Sequence, residues 1–118
     1  MLGTDWTNAP NREPMSPVVR YHLELGGEVV ALIEADMYEF PWTYGRLVNS
    51  PAFERFRRYF TDDNDWPEDD PELDALCGEV HDRGWFVLRD VSSGVVYPGV
   101  LLHHDGRDVV WFRHGDPA

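Results

Sequence analysis

Residues 18–34 read Val-Val-Arg-Tyr-His-Leu-Glu-Leu-Gly-Gly-Glu-Val-Val-Ala-Leu-Ile-Glu, two alternating runs on either side of Gly26-Gly27. Alternation at period two sends successive side chains to opposite faces of a strand, and a glycine pair supplies the positive φ angles of a two-residue hairpin turn. The domain is therefore expected to open with a β-hairpin. In that register Leu23 faces Val30 and Tyr21 faces Leu32, with Arg20 and His22 on the other side.

Downstream, Tyr38, Phe40, Trp42 and Tyr44 surround Pro41 and Gly45, which predicts a bend into a third short strand. Asn49-Ser50-Pro51 reads as a helix start, with Ser50 as the capping side chain and Pro51 at the first helical position. Ala52, Phe53, Phe56, Tyr59 and Phe60 then recur at helical spacing and form one apolar stripe. Glu54 lies four residues before Arg58, the spacing of an ordinary helix-surface ion pair. After an acidic stretch, Asp70-Pro71 starts a second helix whose apolar positions are Leu73, Leu76, Cys77 and Val80, and Gly84 ends it.

The remainder predicts a meander of Trp85 to Val91, Val95 to His104 and Asp108 to His114, turning at Ser92-Ser93-Gly94 and Asp105-Gly106. A two-residue turn at Asp105-Gly106 sets Val100 against Trp111, Leu102 against Val109 and His103 against Asp108. Pro98 calls for an edge or a bulge. The expected fold is α+β: an antiparallel sheet of about five to six strands, with two short helices inserted between an N-terminal hairpin region and a C-terminal three-stranded meander. Residues 1–17 hold three prolines, a lone Trp6 and no periodicity, so they read as a flexible leader to one domain spanning 18–115.

Composition excludes several chemistries. All ten basic residues are arginine, so lysine Schiff bases and lysine-dependent phosphate loops are ruled out. Arginine in place of every lysine, with abundant Gly, Pro, Asp and Val, points to a GC-rich bacterial genome as the expected source. A net charge of -12 repels phosphate backbones and anionic lipids, which argues against nucleic-acid and membrane partners. One cysteine, Cys77, forms no internal disulfide, and with no secretion signal or membrane-spanning run a cytoplasmic location is expected.

Between Arg58 and Arg83 lie ten of the 22 acidic residues and no arginine. A solvated loop is the plain account of such a run. Trp66-Pro67 at its centre adds an aromatic anchor, so Asp62, Asp63, Asp65, Trp66, Glu68, Asp69 and Asp70 form the candidate partner-binding set. Calcium does not fit, because the sixth and twelfth loop positions hold Pro67 and Leu73 counted from Asp62, and Glu68 and Asp74 counted from Asp63. No zinc spacing occurs, His103 and His104 point to opposite faces, and neither a metal nor a cofactor is expected. His103 beside Asp108 could serve as a base and its orienting carboxylate, although no nucleophile accompanies them.

The leading expectation is a small acidic interaction module, of immunity, inhibitor or accessory type, that binds a basic protein. The alternative is a small-molecule-binding protein or small enzyme using an aromatic pocket of Tyr38, Phe40, Trp42 and Tyr44. A third reading pairs two copies through an exposed edge strand as a homodimer.

Overall fold

The computed structural model describes residues 12–60 and 70–118, with side chains from Val18 onward. It is an α+β fold in which seven strands form one antiparallel sheet: β1 (Arg12–Leu25), β2 (Glu28–Glu39), β3 (Trp42–Leu47), β4 (Phe86–Asp90), β5 (Val96–Tyr97), β6 (Leu101–His104) and β7 (Val109–Arg113). The helices are α1 (Phe53–Phe56), which runs on into a 3-10 turn at Arg57–Phe60, and α2 (Pro71–Asp82). Among the described residues no helix is long and apolar enough to cross a membrane.

The opening hairpin forms at Gly26-Gly27, with φ +59° and +84°, and Leu25 pairs with Glu28. One residue further on, a bulge at Val30 shifts the register, so Leu23 faces Ala31 and Tyr21 faces Ile33 instead of Val30 and Leu32. The bulge lets two consecutive residues, Val30 and Ala31, both reach the core at 2% exposure. β1 begins at Arg12, inside the segment expected as a leader, and its backbone pairs as far as Arg12 opposite Glu39. Pro17, which has no N–H to give to a ladder, falls in the irregular stretch between Pro14 and Val19. Residues 1–11, with Trp6, lie outside the described residues.

Seven strands exceed the expected five to six because the middle strand of the predicted meander divides. Its first part, β5, pairs with β4, and its second, β6, pairs with β7. The sheet order is β5-β4-β1-β2-β3-β7-β6, so these two pieces of one chain segment lie at opposite edges. A flat sheet would hold them six strand spacings apart, about 29 Å. Tyr97 and Leu101 are four Cα steps apart, a reach of at most about 15 Å. The sheet must therefore curl until its edges approach, and the break falls at Pro98-Gly99, where Pro98 cannot donate and Gly99 has φ +67°.

The helices pack inside the curl. Phe53, Phe56, Phe60 and Val80 join Leu23, Leu25, Ile33, Leu88, Val110 and Phe112 in a single buried cluster. Phe53 lies parallel to Phe60 at 5.5 Å, and Phe60 packs on Phe86 at 4.8 Å. α2 starts as expected: Asp70 accepts from the Leu73 N–H at 3.1 Å and Pro71 holds the first turn. Arg83 follows its last residue, and Gly84 turns away at φ +86°.

The first helix starts differently. Ser50 does not cap it; the Ser50 hydroxyl accepts from the Leu32 N–H at 2.9 Å and donates to the Val48 carbonyl at 2.9 Å, tying the β3–α1 connection to β2. Glu54 pairs with Arg57, at 2.6 and 2.9 Å, and not with Arg58, because the helix tightens to 3-10 geometry there and brings the third residue round.

Candidate binding surface

In a sheet, cross-strand neighbours share a face and alternate residues change face, so the site follows from register. On β7, Val110 and Phe112 are fully buried, which puts Trp111 and Arg113 outside. Tyr44 of β3 stands opposite Trp111, and on β6 the buried Leu102 opposes Phe112 while His103 opposes Trp111. Trp42, Tyr44, Trp111, Arg113, Leu101 and His103 therefore share the outer face of β3, β7 and β6. With the helices packed on the inner face, these six side chains are half-buried or exposed.

Five of them touch one another in sequence. Tyr44 stacks on Trp111 at 6.3 Å and Trp111 on His103 at 5.9 Å. His103 meets Trp42 edge-on at 5.5 Å, and the Arg113 guanidinium lies 5.3 Å from the centre of the Trp42 ring. The Tyr44 hydroxyl donates to Glu39 at 3.3 Å. This is a ladder of rigid aromatic groups with one cation, a composition enriched where proteins bind proteins.

The predicted site residues are thus sorted into separate places. Trp42 and Tyr44 join the outer ladder, whereas Tyr38 and Phe40 stand edge to face at 6.4 Å beside an open cavity of about 520 Å³ at one end of the curled sheet. Thr43, Arg113 and His114 also line that cavity, and Phe40 is 77% exposed. A second, smaller cavity of about 280 Å³ lies at the seam between β4 and Pro98–Val100, beside Tyr59 and Trp85.

His103 and Asp108 are not brought together. The β6–β7 loop is longer than two residues because the Asp105 carboxylate accepts from the N–H groups of Arg107 and Val109, at 2.8 and 3.3 Å. His104 steadies the same loop, its Nδ1 accepting from the Gly106 N–H at 3.0 Å and its Nε2 donating to the Arg57 carbonyl at 3.0 Å. The register moves by three residues, so Leu102 faces Phe112 rather than Val109 and His103 faces Trp111 rather than Asp108. Asp108 sits in the loop and pairs with Arg46 at 3.6 Å.

Of the acidic set, Asp62, Asp63, Asp65, Trp66, Glu68 and Asp69 lie outside the described residues. Asp70 is engaged within the fold: its bond from the Leu73 N–H, and then its pairing with Arg58, hold its carboxyl below the usual range. Cys77 is half-buried on α2, and burial raises its thiol pKa, which makes it a poor nucleophile. Among the described residues no three of His, Cys, Asp or Glu converge to hold a metal ion.

The sequence did not mark Trp111, Arg113 or His114 as site residues. The signal was present in the alternation of Val109-Val110-Trp111-Phe112-Arg113, but the wrong register set Trp111 on the same face as Leu102. No family model, curated protein or solved structure matches the chain.

Proposed function

We propose that this protein is a small interaction module that docks on a protein with a basic surface, as an immunity, inhibitor or accessory protein of a bacterial cytoplasm. The observation that carries the reading is the outer ladder of Trp42, Tyr44, Trp111 and His103, large groups left half in water on a sheet face. Rigid aromatic rings lose little conformational entropy on docking and dominate binding energy when a partner covers them. The net charge of -12 supports a basic partner, because complementary fields speed encounter more than they strengthen the final contact.

The two elements make different contributions, which separates them experimentally. The full chain, immobilised, recovers its partner by affinity purification, and the recovered partner is then titrated by surface plasmon resonance. Trp111→Ala is expected to weaken binding by about thirtyfold or more, mainly through faster dissociation and at all salt concentrations. Asp63→Arg with Asp65→Arg is expected to slow association by about tenfold at low salt, and the difference closes as salt is raised. Wild-type kinetics in Trp111→Ala would remove the ladder as the docking surface.

A further inference from the structure

We infer that the cavity beside Phe40, which meets the protein-docking face at Arg113, is a binding site for a small aromatic carboxylate. The argument starts from charge. Arg20, Arg46, Arg55, Arg57, Arg58, Arg83 and Arg89 are each within ion-pair distance of a carboxylate. Arg113 and the loop residue Arg107 have no such partner among the described residues, in a chain with 22 acids and only ten arginines, and of these two Arg113 borders the cavity. Its guanidinium lies over Trp42, an arrangement that orients the planar group without neutralising it.

Among the described residues, the cavity that Arg113 borders carries no acidic side chain in its lining. His114 also borders it; its ring packs on Tyr97 at 4.2 Å and its Nδ1 donates to the Gly115 carbonyl at 2.8 Å. Those two contacts fix the imidazole in place as part of the wall. Thr43 adds a hydroxyl, and Tyr38 and Phe40 supply an apolar wall. Gly99 and Gly115 line the cavity with bare backbone: a Cβ on Gly115 would lie 3.3 Å from the Pro98 carbonyl, and one on Gly99 3.4 Å from the Gly115 nitrogen.

An aromatic wall beside an unpaired guanidinium suits a flat apolar body bearing one carboxylate, which a guanidinium can bind through two parallel hydrogen bonds. The volume of about 520 Å³ is within the range of small-ligand sites and accommodates a one- or two-ring acid. Phe40, exposed at 77% without a ligand, is the group that such a ring would cover.

The test uses the full chain and named probes. Indole-3-acetate and its neutral amide are titrated separately while the amide signals of Thr43, His114 and Gly115 are followed by NMR, with inorganic phosphate as a third probe. The acid is expected to bind saturably and about tenfold more tightly than the amide, since a charge-assisted hydrogen bond is lost with the charge. Arg113→Gln is expected to abolish the preference for acid over amide, whereas Phe40→Ala weakens both ligands alike and leaves the preference intact. Both positions are at the surface, and an unchanged spectrum away from the cavity reports that each variant folds.

The inference is overturned if the acid shows no saturation up to about 10 mM, if acid and amide bind equally to the wild type, if Arg113→Gln keeps the preference, or if phosphate binds as tightly as the acid. Trp111→Ala is expected to leave acid binding unchanged, so loss of the protein-docking surface and loss of this site are read separately.

Discussion

Gly45 is a position where no side chain fits. A Cβ there would lie 2.5 Å from the Glu34 carbonyl oxygen and 3.0 Å from the Ala35 Cα, both backbone atoms of the neighbouring strand. The close approach occurs where β2 bulges at Asp36, between Ala35 opposite Gly45 and Met37 opposite Tyr44. Gly45→Ala must push two strands apart in the middle of the sheet, so it is expected to destabilise the fold by about 3 kcal/mol. Thermal unfolding checks this, with a drop in Tm of about 15 °C. The consequence reaches the binding surface, because Tyr44 and Trp42 sit on the same strand and depend on its position. From the sequence Gly45 read only as part of a bend; its steric role needs a neighbouring strand to collide with.

At the scale of elements, one network ties the helices to the opening hairpin. Arg83, just beyond α2, donates to Glu79 at 2.8 Å, to Glu28 of β2 at 2.7 Å and to the Leu25 carbonyl at 3.0 Å. Arg55 of α1 donates to the same Glu79 at 2.9 Å. The hydrogen bonds from Arg55, then from Arg83, hold the Glu79 carboxyl below its usual range, and the bond from Arg57 does the same for Glu54. A carboxylate whose folded pKa lies below its unfolded value takes up a proton on unfolding only at pH values around and between the two. Its stabilisation is complete above the unfolded value, about 4, and is lost as pH falls through the lower folded value. Glu79→Gln is therefore expected to lower Tm at pH 7 by a few degrees, a surface-network effect of modest size. The gap between variant and wild type should close towards pH 2. A gap independent of pH in a Tm series would show that the glutamate acts through packing alone. The bonds of Arg55 to Glu79 and of Arg83 to Glu28 and Leu25 join residues distant in the chain, and the local spacing of Glu54 and Arg58 pointed to the wrong pair.

For the whole molecule, charge and sheet closure dominate. A net charge of -12 on 118 residues opposes compaction, since like charges come closer on folding. Screening relieves this, so raising salt from about 50 to about 500 mM is expected to raise Tm by several degrees, measured by scanning calorimetry. A flat or falling response would mean that the ion pairs of Arg20, Arg46, Arg55, Arg58, Arg83 and Arg89 outweigh the general repulsion. The strand that divides at Pro98-Gly99 brings the two sheet edges together, and the same segment lines both cavities through Gly99.

By itself the sequence determined the α+β class, the antiparallel pairing, the Gly26-Gly27 turn, the Asp70-Pro71 start of α2 and its end near Gly84. Each of these rests on backbone chemistry within a few residues, where a cap, a turn or a period of two or 3.6 leaves its mark. Tertiary structure alone decided the sheet order, the bulges at Val30 and Asp36, and the register of β6 on β7. It also decided that Trp42 and Tyr44 stand with Trp111 and His103 on the outer face while Tyr38 and Phe40 stand at the end cavity. The physical reason is that a strand's faces alternate at every residue, so a register shift of one or three places reverses which side chains meet, and that shift is settled by contacts between residues distant in the chain.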